Sequence, residues 1–424
     1  MTLLEWFAIA VIFLTVWALI KRYETRLVLF TAGLVLCLVS LQPINALDSF
    51  AASMTKGALI TAICSSMGFA FVSSFTKCDR SLVHYLATPI RGLGIFLLPV
   101  CTALTYVINI AIPSAAGCSA AVGSTLIPVM LRAGLKPAAA AASVMGGTIG
   151  SYFSPGTSHN AFVAEMAHME VMDFIAYHAV WSLACGAFMV VGICLVCFIL
   201  GDHKGDKNAS SSIKEDNEPF TPNVLKAFMP IIPITVLVVG NVWVPALKMG
   251  VAQAMVLGAI ATLLVSMVLD KTDPQQFSKK FFEGLGKGYT DVMGIIIAAG
   301  VFAAGLKTSG LINTFVDVLR ESNDIARWGG SLGPWLMGVI TGSGDAATMA
   351  FNEAVTPHAQ SFGMEIHALG GLAFLTGALG RTMSPIAGAM VIVSGIAMVS
   401  PMEVAKRTAL PVTAAVIFLA LFMV

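Results

Sequence analysis

Apolar runs of about 17–25 residues, the length at which a helix crosses a bilayer, recur along this chain from end to end. Eight are uninterrupted: residues 3–20, 27–42, 55–76, 174–200, 227–247, 250–269, 287–307 and 408–424. Two longer runs, 137–166 and 366–396, cross with a polar, helix-breaking interruption. Two more, 92–132 and 331–363, are broken at their centres by Pro113-Ser114 and by Gly342-Ser343-Gly344-Asp345. A break at that depth predicts a re-entrant hairpin of two half-helices. Exposed backbone inside a membrane is tolerated only where protein or a water-filled site covers it. The pattern therefore predicts an all-α polytopic membrane protein.

The punctuation is duplicated. Ser154-Pro155 and Ser384-Pro385 are 230 positions apart, Pro128 and Pro357 are 229, and Lys56-Gly57 and Lys287-Gly288 are 231. Each half holds five crossing spans and one hairpin, and an odd number of crossings inserts the second half upside down. This predicts two inverted repeats, 1–200 and 227–424. Spans 1–76 form a scaffold, and a hairpin and broken span lie at 92–166 and again at 331–396. Residues 201–226 join the halves. Gly201 to Asn223, with Ser210-Ser211-Ser212 and alternating charge, reads as a solvated cytoplasmic linker. Small, polar and helix-breaking residues at matching places in two membrane halves point to a binding site between them, near the midplane. Two short amphipathic segments, Ser81 to Thr88 and Leu311 to Glu321, read as interfacial arms leading into the hairpins.

Composition fixes the class. The chain is 57% hydrophobic and 11% charged, against about 25% charged in soluble proteins. Glu5 precedes the first apolar run and Lys21, Arg22 and Arg26 follow it, so this run reads as a retained span with its N-terminus outside. In that topology 18 of the 24 Lys and Arg residues lie on the cytoplasmic side, as the positive-inside rule requires. The C-terminus also falls outside. A net charge of +1 without a basic cluster gives no reason to expect nucleic acid as a partner. The eight cysteines, none in the second half, read as reduced and buried.

The candidate chemistry lies in the breaks. A half-helix beginning at each hairpin tip has N–H groups without partners and a dipole that favours an anion. The first tip offers Ser114, Gly117 and Ser119, and the second offers Ser343, Gly344 and Asp345. The interrupted spans add Ser154, Pro155, Gly156, Thr157, Ser158, His159 and Asn160 from one half. Arg381, Thr382, Ser384 and Pro385 come from the other. Unwound backbone there frees carbonyls for a cation. A packing kink is the alternative for any one break. Arg381 lies too deep to reach the surface, so it should pair with Asp345, with a substrate carboxylate, or with both. Asp345 also fits as N-cap of a half-helix starting at Ala346, and as a ligand of a coupling cation. Glu353, His358 and His367 are weaker candidates, and Glu165 and His168 belong at the outer surface.

Ala111 through Gly117 to Pro128, Gly146 through Asn160, Gly342 through Thr348 to Pro357, and Gly380 through Gly388 together resemble the ion-transporter superfamily of divalent-anion/sodium symporters and arsenite and citrate carriers. The sequence is most similar to the anaerobic C4-dicarboxylate carriers of the C type. The resemblance implies secondary active transport of succinate, fumarate or malate, by exchange or cation coupling, across the bacterial inner membrane. It also implies an elevator-type mechanism and a homodimer; in that membrane the topology drawn from the basic residues makes both termini periplasmic. It implies neither an enzyme nor a cofactor. The Ser-Asn-Thr tips of the sodium symporters appear here as Ser114-Ala115-Ala116 and Ser343-Gly344-Asp345, which leaves Na⁺ or H⁺ open as the coupling ion.

Transport of another small organic anion is the alternative function. A remote one comes from Gly342-Ser343-Gly344-Asp345, which fits the Gly-x-Gly-Asp pattern of intramembrane aspartyl proteases. These need a second aspartate close by, and the other deep aspartate is Asp291.

Overall fold

The computed structural model describes residues 2–21, 23–90, 96–203, 221–312, 314 and 323–423, and these are helical with no strand among them. The first two spans are the helices Leu3–Ile20 and Thr25–Val39. The first opens on a capping box in which Thr2 and Glu5 satisfy each other's backbone N–H. The third is Gly57–Phe75 and ends before a short helix, Cys78–Ala87. Then come the helix pair Leu97–Ala111 and Ala115–Arg132, the broken pair Pro137–Gly147 and Ser158–Met166, and the long helix Val171–Ile199. The second half repeats that order from Pro274–Thr308 onward. A helix pair Asn323–Thr341 and Gly344–Ala354 is followed by a broken pair, Ile366–Met383 and Gly388–Ala397, and by Pro401–Phe422. The two helices of each helix pair pack against each other, and Ala115–Arg132 also packs against Cys78–Ala87.

The largest core joins the two halves. Cys118, Leu126 and Ile127 of the first helix pair share it with Val144 and Met145 of the first broken pair. Met189, Phe374, Leu379, Met390 and Val412 from the remaining elements complete it. Backbones touch where side chains are absent. A Cβ on Gly33 would stand 2.4 Å from Val301 O, and one on Gly150 would stand 1.9 Å from Tyr106 O. Close backbone approach through small residues is how helices associate without a water-driven hydrophobic force.

The structure departs from the sequence reading at four places. Pro43–Met54, between two expected spans and given no element there, is a helix packed on Gly294–Thr308. The span expected at 287–307 belongs to a helical run, Pro274–Thr308, that widens into a π turn at Gly288–Met293. The expected linker is not solvated at its ends. Asp202 is fully buried, with Arg407 Nε 2.7 Å from Oδ2 and Nη2 3.0 Å from Oδ1. Lys226 is buried in the helix Val224–Phe228, donates to Thr76 O at 3.1 Å and pairs with Asp270. Arg407, assigned to a cytoplasmic loop, thus lies inside a helix as the partner of a core aspartate. The rest of the linker, 204–220, and most of the Leu311 to Glu321 arm fall outside the described residues.

Candidate functional site

The first tip forms because Pro113 disfavours a helical residue before it. Ile112 turns out of the helix, and Ser114 restarts one by accepting from Gly117 N at 3.1 Å. Behind this tip the first broken pair is joined by a tight turn, Gly150–Phe153. The carbonyls opened there do not stand free, as the sequence suggested. Thr157 Oγ1 donates to Ser151 O at 2.7 Å. Asn160 Nδ2 donates to Tyr152 O at 2.8 Å and to Ser154 O at 2.9 Å. Arg381, from the other half, donates through Nη2 to Thr148 O at 3.3 Å. Asn160 Oδ1 meets His178 Nε2 at 3.1 Å, and His178 Nδ1 meets Ser182 Oγ at 2.8 Å. Asn160 therefore holds the opened loop in shape from inside the protein.

The second tip is built differently. Gly342 takes φ +72°, and an added Cβ would lie 2.9 Å from Ala387 N. A Cβ on Gly344 would lie 2.8 Å from Gly377 O. The second tip is therefore docked by backbone contact onto the second broken pair. Ser343 is the N-cap, accepting from Ala346 N at 3.2 Å. The capping role considered for Asp345 thus falls to its neighbour, and Asp345 sits in the first turn with its side chain 63% exposed.

Contacts between the halves bring the four broken segments together. His159 Nε2 lies 3.4 Å from Asp345 Oδ1, and its ring meets the Phe374 ring edge-on at 4.9 Å. Tyr152 OH donates to Leu375 O at 2.7 Å. The expected ion pair of Arg381 with Asp345 is replaced by these contacts: Asp345 faces His159, and Arg381 turns to Thr148 O. Arg381 Nε and Ser384 Oγ are buried and without a hydrogen-bond partner among the described residues. Thr382 Oγ1 bonds back to Ala378 O at 2.9 Å within its own helix. Ser158 Oγ lies 3.4 Å from His159 Nδ1, and Pro155 is buried.

A cavity of about 1320 Å³ leads to this region. It reaches Ser114 and Gly117 at the first tip and Ser154 and Gly156 on the first opened loop. Ser66, Ser73 and Ser74 of Gly57–Phe75 also line it, as do Asp79, Arg80 and Lys280. Burial pushes the Asp79 carboxyl above the usual carboxylate range, against the hydrogen bond it accepts from Arg80 N. Ser343, Gly344, Arg381, Thr382, Ser384 and Pro385 are not part of the lining. Of the weaker candidates, Glu353 pairs with Lys56 at 2.7 Å and His367 packs edge-on against Tyr177 at 4.4 Å. Asp291 is exposed and 3.3 Å from Lys287, so the two aspartates of the protease reading have different partners. Sequence reasoning missed His178, Ser66 and Asn109. Asn109 donates to Ile112 O at 2.8 Å and accepts from Ser151 N at 2.7 Å. The available signal was a lone amide in an otherwise apolar arm, four positions before Pro113.

Known proteins share this architecture. The YdaH transporter of Alcanivorax borkumensis aligns with TM-score 0.56 at 14% identity, over 89% of this chain and 86% of that one. The MtrF structure of Neisseria gonorrhoeae aligns with TM-score 0.57 at 13% identity, over 89% and 83%. At that identity the likeness is one of fold. In sequence, an uncharacterized transporter of Haemophilus influenzae is 44% identical over 281 residues, which is 64% of this chain and 99% of the relative. The anaerobic C4-dicarboxylate transporter DcuC of Escherichia coli K12 is 26% identical over 93% of this chain and 90% of its own. The model of the C4-dicarboxylate anaerobic carrier family matches residues 59–424, and the chain belongs to that family.

Proposed function

We propose that the chain moves succinate, fumarate or malate across the bacterial inner membrane by alternating access. The observation that carries this reading is a cavity lined both by the charged Asp79, Arg80 and Lys280 and by Ser114 and Ser154 of the first tip and the first opened loop. In the topology drawn from the basic residues those charged residues are cytoplasmic, both termini are periplasmic, and the conformation is inward-facing. A dianion entering there meets the N-terminus of Ala115–Arg132, with Arg381 behind it. The two halves act as inverted repeats whose hairpins are re-entrant. The hairpins and broken helices move as an elevator against the scaffold spans, and the scaffold pairs two copies. The remaining nominated residues, Gly117, Pro155, Gly156, Thr157, Ser158, His159, Asn160, Ser343, Gly344, Thr382, Ser384 and Pro385, form or brace the substrate site. Exchange of one dicarboxylate for another is the better-supported mode, because chain donors already fill the carbonyls of the first opened loop. Where a cation is coupled, Asp345 beside His159 is its site. Radiolabelled-succinate counterflow in proteoliposomes, with unlabelled dicarboxylates and other organic anions as competitors, tests the reading. Saturable counterflow supports it, and non-saturating flux without counterflow overturns it.

A further inference from the structure

Every apolar helix that stops inside a membrane leaves carbonyls behind it, and every restart leaves N–H groups ahead of it. At the first tip and the first opened loop, one side chain answers one group of each kind. Asn109 is fully buried, two residues before the end of the first arm of the hairpin at Ala111. Its Nδ2 donates at 2.8 Å to the carbonyl oxygen of Ile112, the residue that caps that arm. Its Oδ1 accepts from Ser151 N at 2.7 Å, in the turn that joins the first broken pair. Two residues beyond Ile112 is Ser114, and three residues beyond Ser151 is Ser154. Both line the cavity. The two segments already touch one helical turn earlier, where Gly150 abuts Tyr106 O, so Asn109 is the last lock before the chains diverge toward the cavity. The second half has no matching amide: position 338, 229 residues on, is glycine, and that tip is docked by backbone contact.

We propose that Asn109 is a positioning residue that fixes the separation of the first tip from the first opened loop, and through it the length of dicarboxylate the site accepts. The inference rests on the transport reading above. An amide spanning a donor on one wall and an acceptor on the other holds both walls at one distance. A dianion held by the N-terminus behind Ser114 at one end and the loop around Ser154 at the other feels that distance directly. Glutamine keeps the amide and lengthens the reach by one methylene, so Asn109→Gln should widen the separation.

The test is competition against radiolabelled-succinate counterflow by unlabelled malonate, succinate and glutarate, with three, four and five carbons. For Asn109→Gln the ratio of glutarate to succinate apparent affinity should rise by about tenfold, the scale on which one methylene is discriminated in a fitted site, with maximal rate kept. A uniform loss for all three lengths, with the ranking unchanged, would mean a merely structural role and would overturn the proposal. If that variant does not fold, hydrogen exchange on the wild-type protein decides. Succinate should slow exchange at residues 112–118 and 150–157 together, and protection of one segment without the other would overturn it. If the wild type counterflows no dicarboxylate, the transport reading fails by itself. Asn109→Ala is then expected to speed exchange at 150–157 and 112–118 alike, and exchange unchanged at either segment would sink the positioning role.

Discussion

Replacing Arg381 by lysine isolates the part of its role that depends on the planar guanidinium. Arg381 spends one N–H on Thr148 O at 3.3 Å, and Nε is buried without a partner among the described residues. A guanidinium offers five donors in a fixed fork that matches a carboxylate, and lysine offers a point charge. If a substrate carboxylate takes two of the free donors, lysine keeps the charge and loses one bond. A hydrogen bond to a charged group is worth about 1.5–3 kcal/mol, so the apparent substrate constant for Arg381→Lys should rise about 10–100-fold. Arg381→Ala loses both bonds and the charge, and exchange should fall to background. The assay is succinate counterflow in proteoliposomes at matched protein density, with detergent melting curves on the same preparations. Asp345 faces His159 and is largely exposed, so removing Arg381 does not strand a buried carboxylate. Adding Asp345→Asn to Arg381→Ala should therefore restore nothing. The reasoning is refuted if that double variant recovers both expression and exchange. It is equally refuted if Arg381→Lys leaves the substrate constant unchanged while lowering the melting temperature.

Three further outcomes follow from the same contacts. Arg407→Ala leaves the fully buried Asp202 with Lys136 at 3.5 Å and the Cys197 thiol as its partners among the described residues, and should cost about 3 kcal/mol, the lower end for breaking a buried pair, read as a fall in melting temperature. Deleting several residues within 204–220 should leave exchange intact, and a cysteine placed there should label only from the cytoplasmic side; labelling from outside would invert the topology. Replacing Na⁺ by choline should leave the initial exchange rate unchanged, because Asn160, Thr157 and Arg381 occupy the first-loop carbonyls; a strict sodium requirement would contradict that.

The breaks were legible in the sequence because proline or glycine beside serine disfavours a continuous helix, although proline alone does not decide it: Pro128, Pro334 and Pro411 each lie inside a helix. That a helix restarts at each tip could be seen, but the cap at the second could not: Asp345 fitted the N-cap by sequence, and Ser343, two residues earlier, takes it. Partners were not legible. Nothing local to Arg381 distinguishes a carboxylate 36 positions back from a carbonyl 233 positions back, because the choice is made when the second tip docks against the first broken pair. Asp202 reads as linker by its neighbours, and only Arg407, 205 positions on, makes it part of the core. The helix Pro274–Lys287 was hidden by Lys279, Lys280, Glu283 and Lys287, which give it a water-facing side that a search for apolar runs passes over. Asn109 was hidden in the opposite way, as one amide in an arm that is otherwise apolar.

One rule governs all of these cases. A polar group inside a low-dielectric core needs a partner, and sequence displays the need without the answer. The answers found here are internal at nearly every site. Asn109, Asn160 and Thr157 close the carbonyls that the first break opens, and His178 closes Asn160 in turn. What the described residues leave without a partner at the meeting of the halves is mixed: Arg381 Nε can only donate, the hydroxyls of Ser119 and Ser384 can donate or accept, and His159 Nε2 does one or the other by tautomer. Arg381 is the unambiguous member. A buried guanidinium whose recorded bond goes to a neutral carbonyl, with no carboxylate partner among the described residues, favours an anion beside it, and that is the physical basis of the proposed reading.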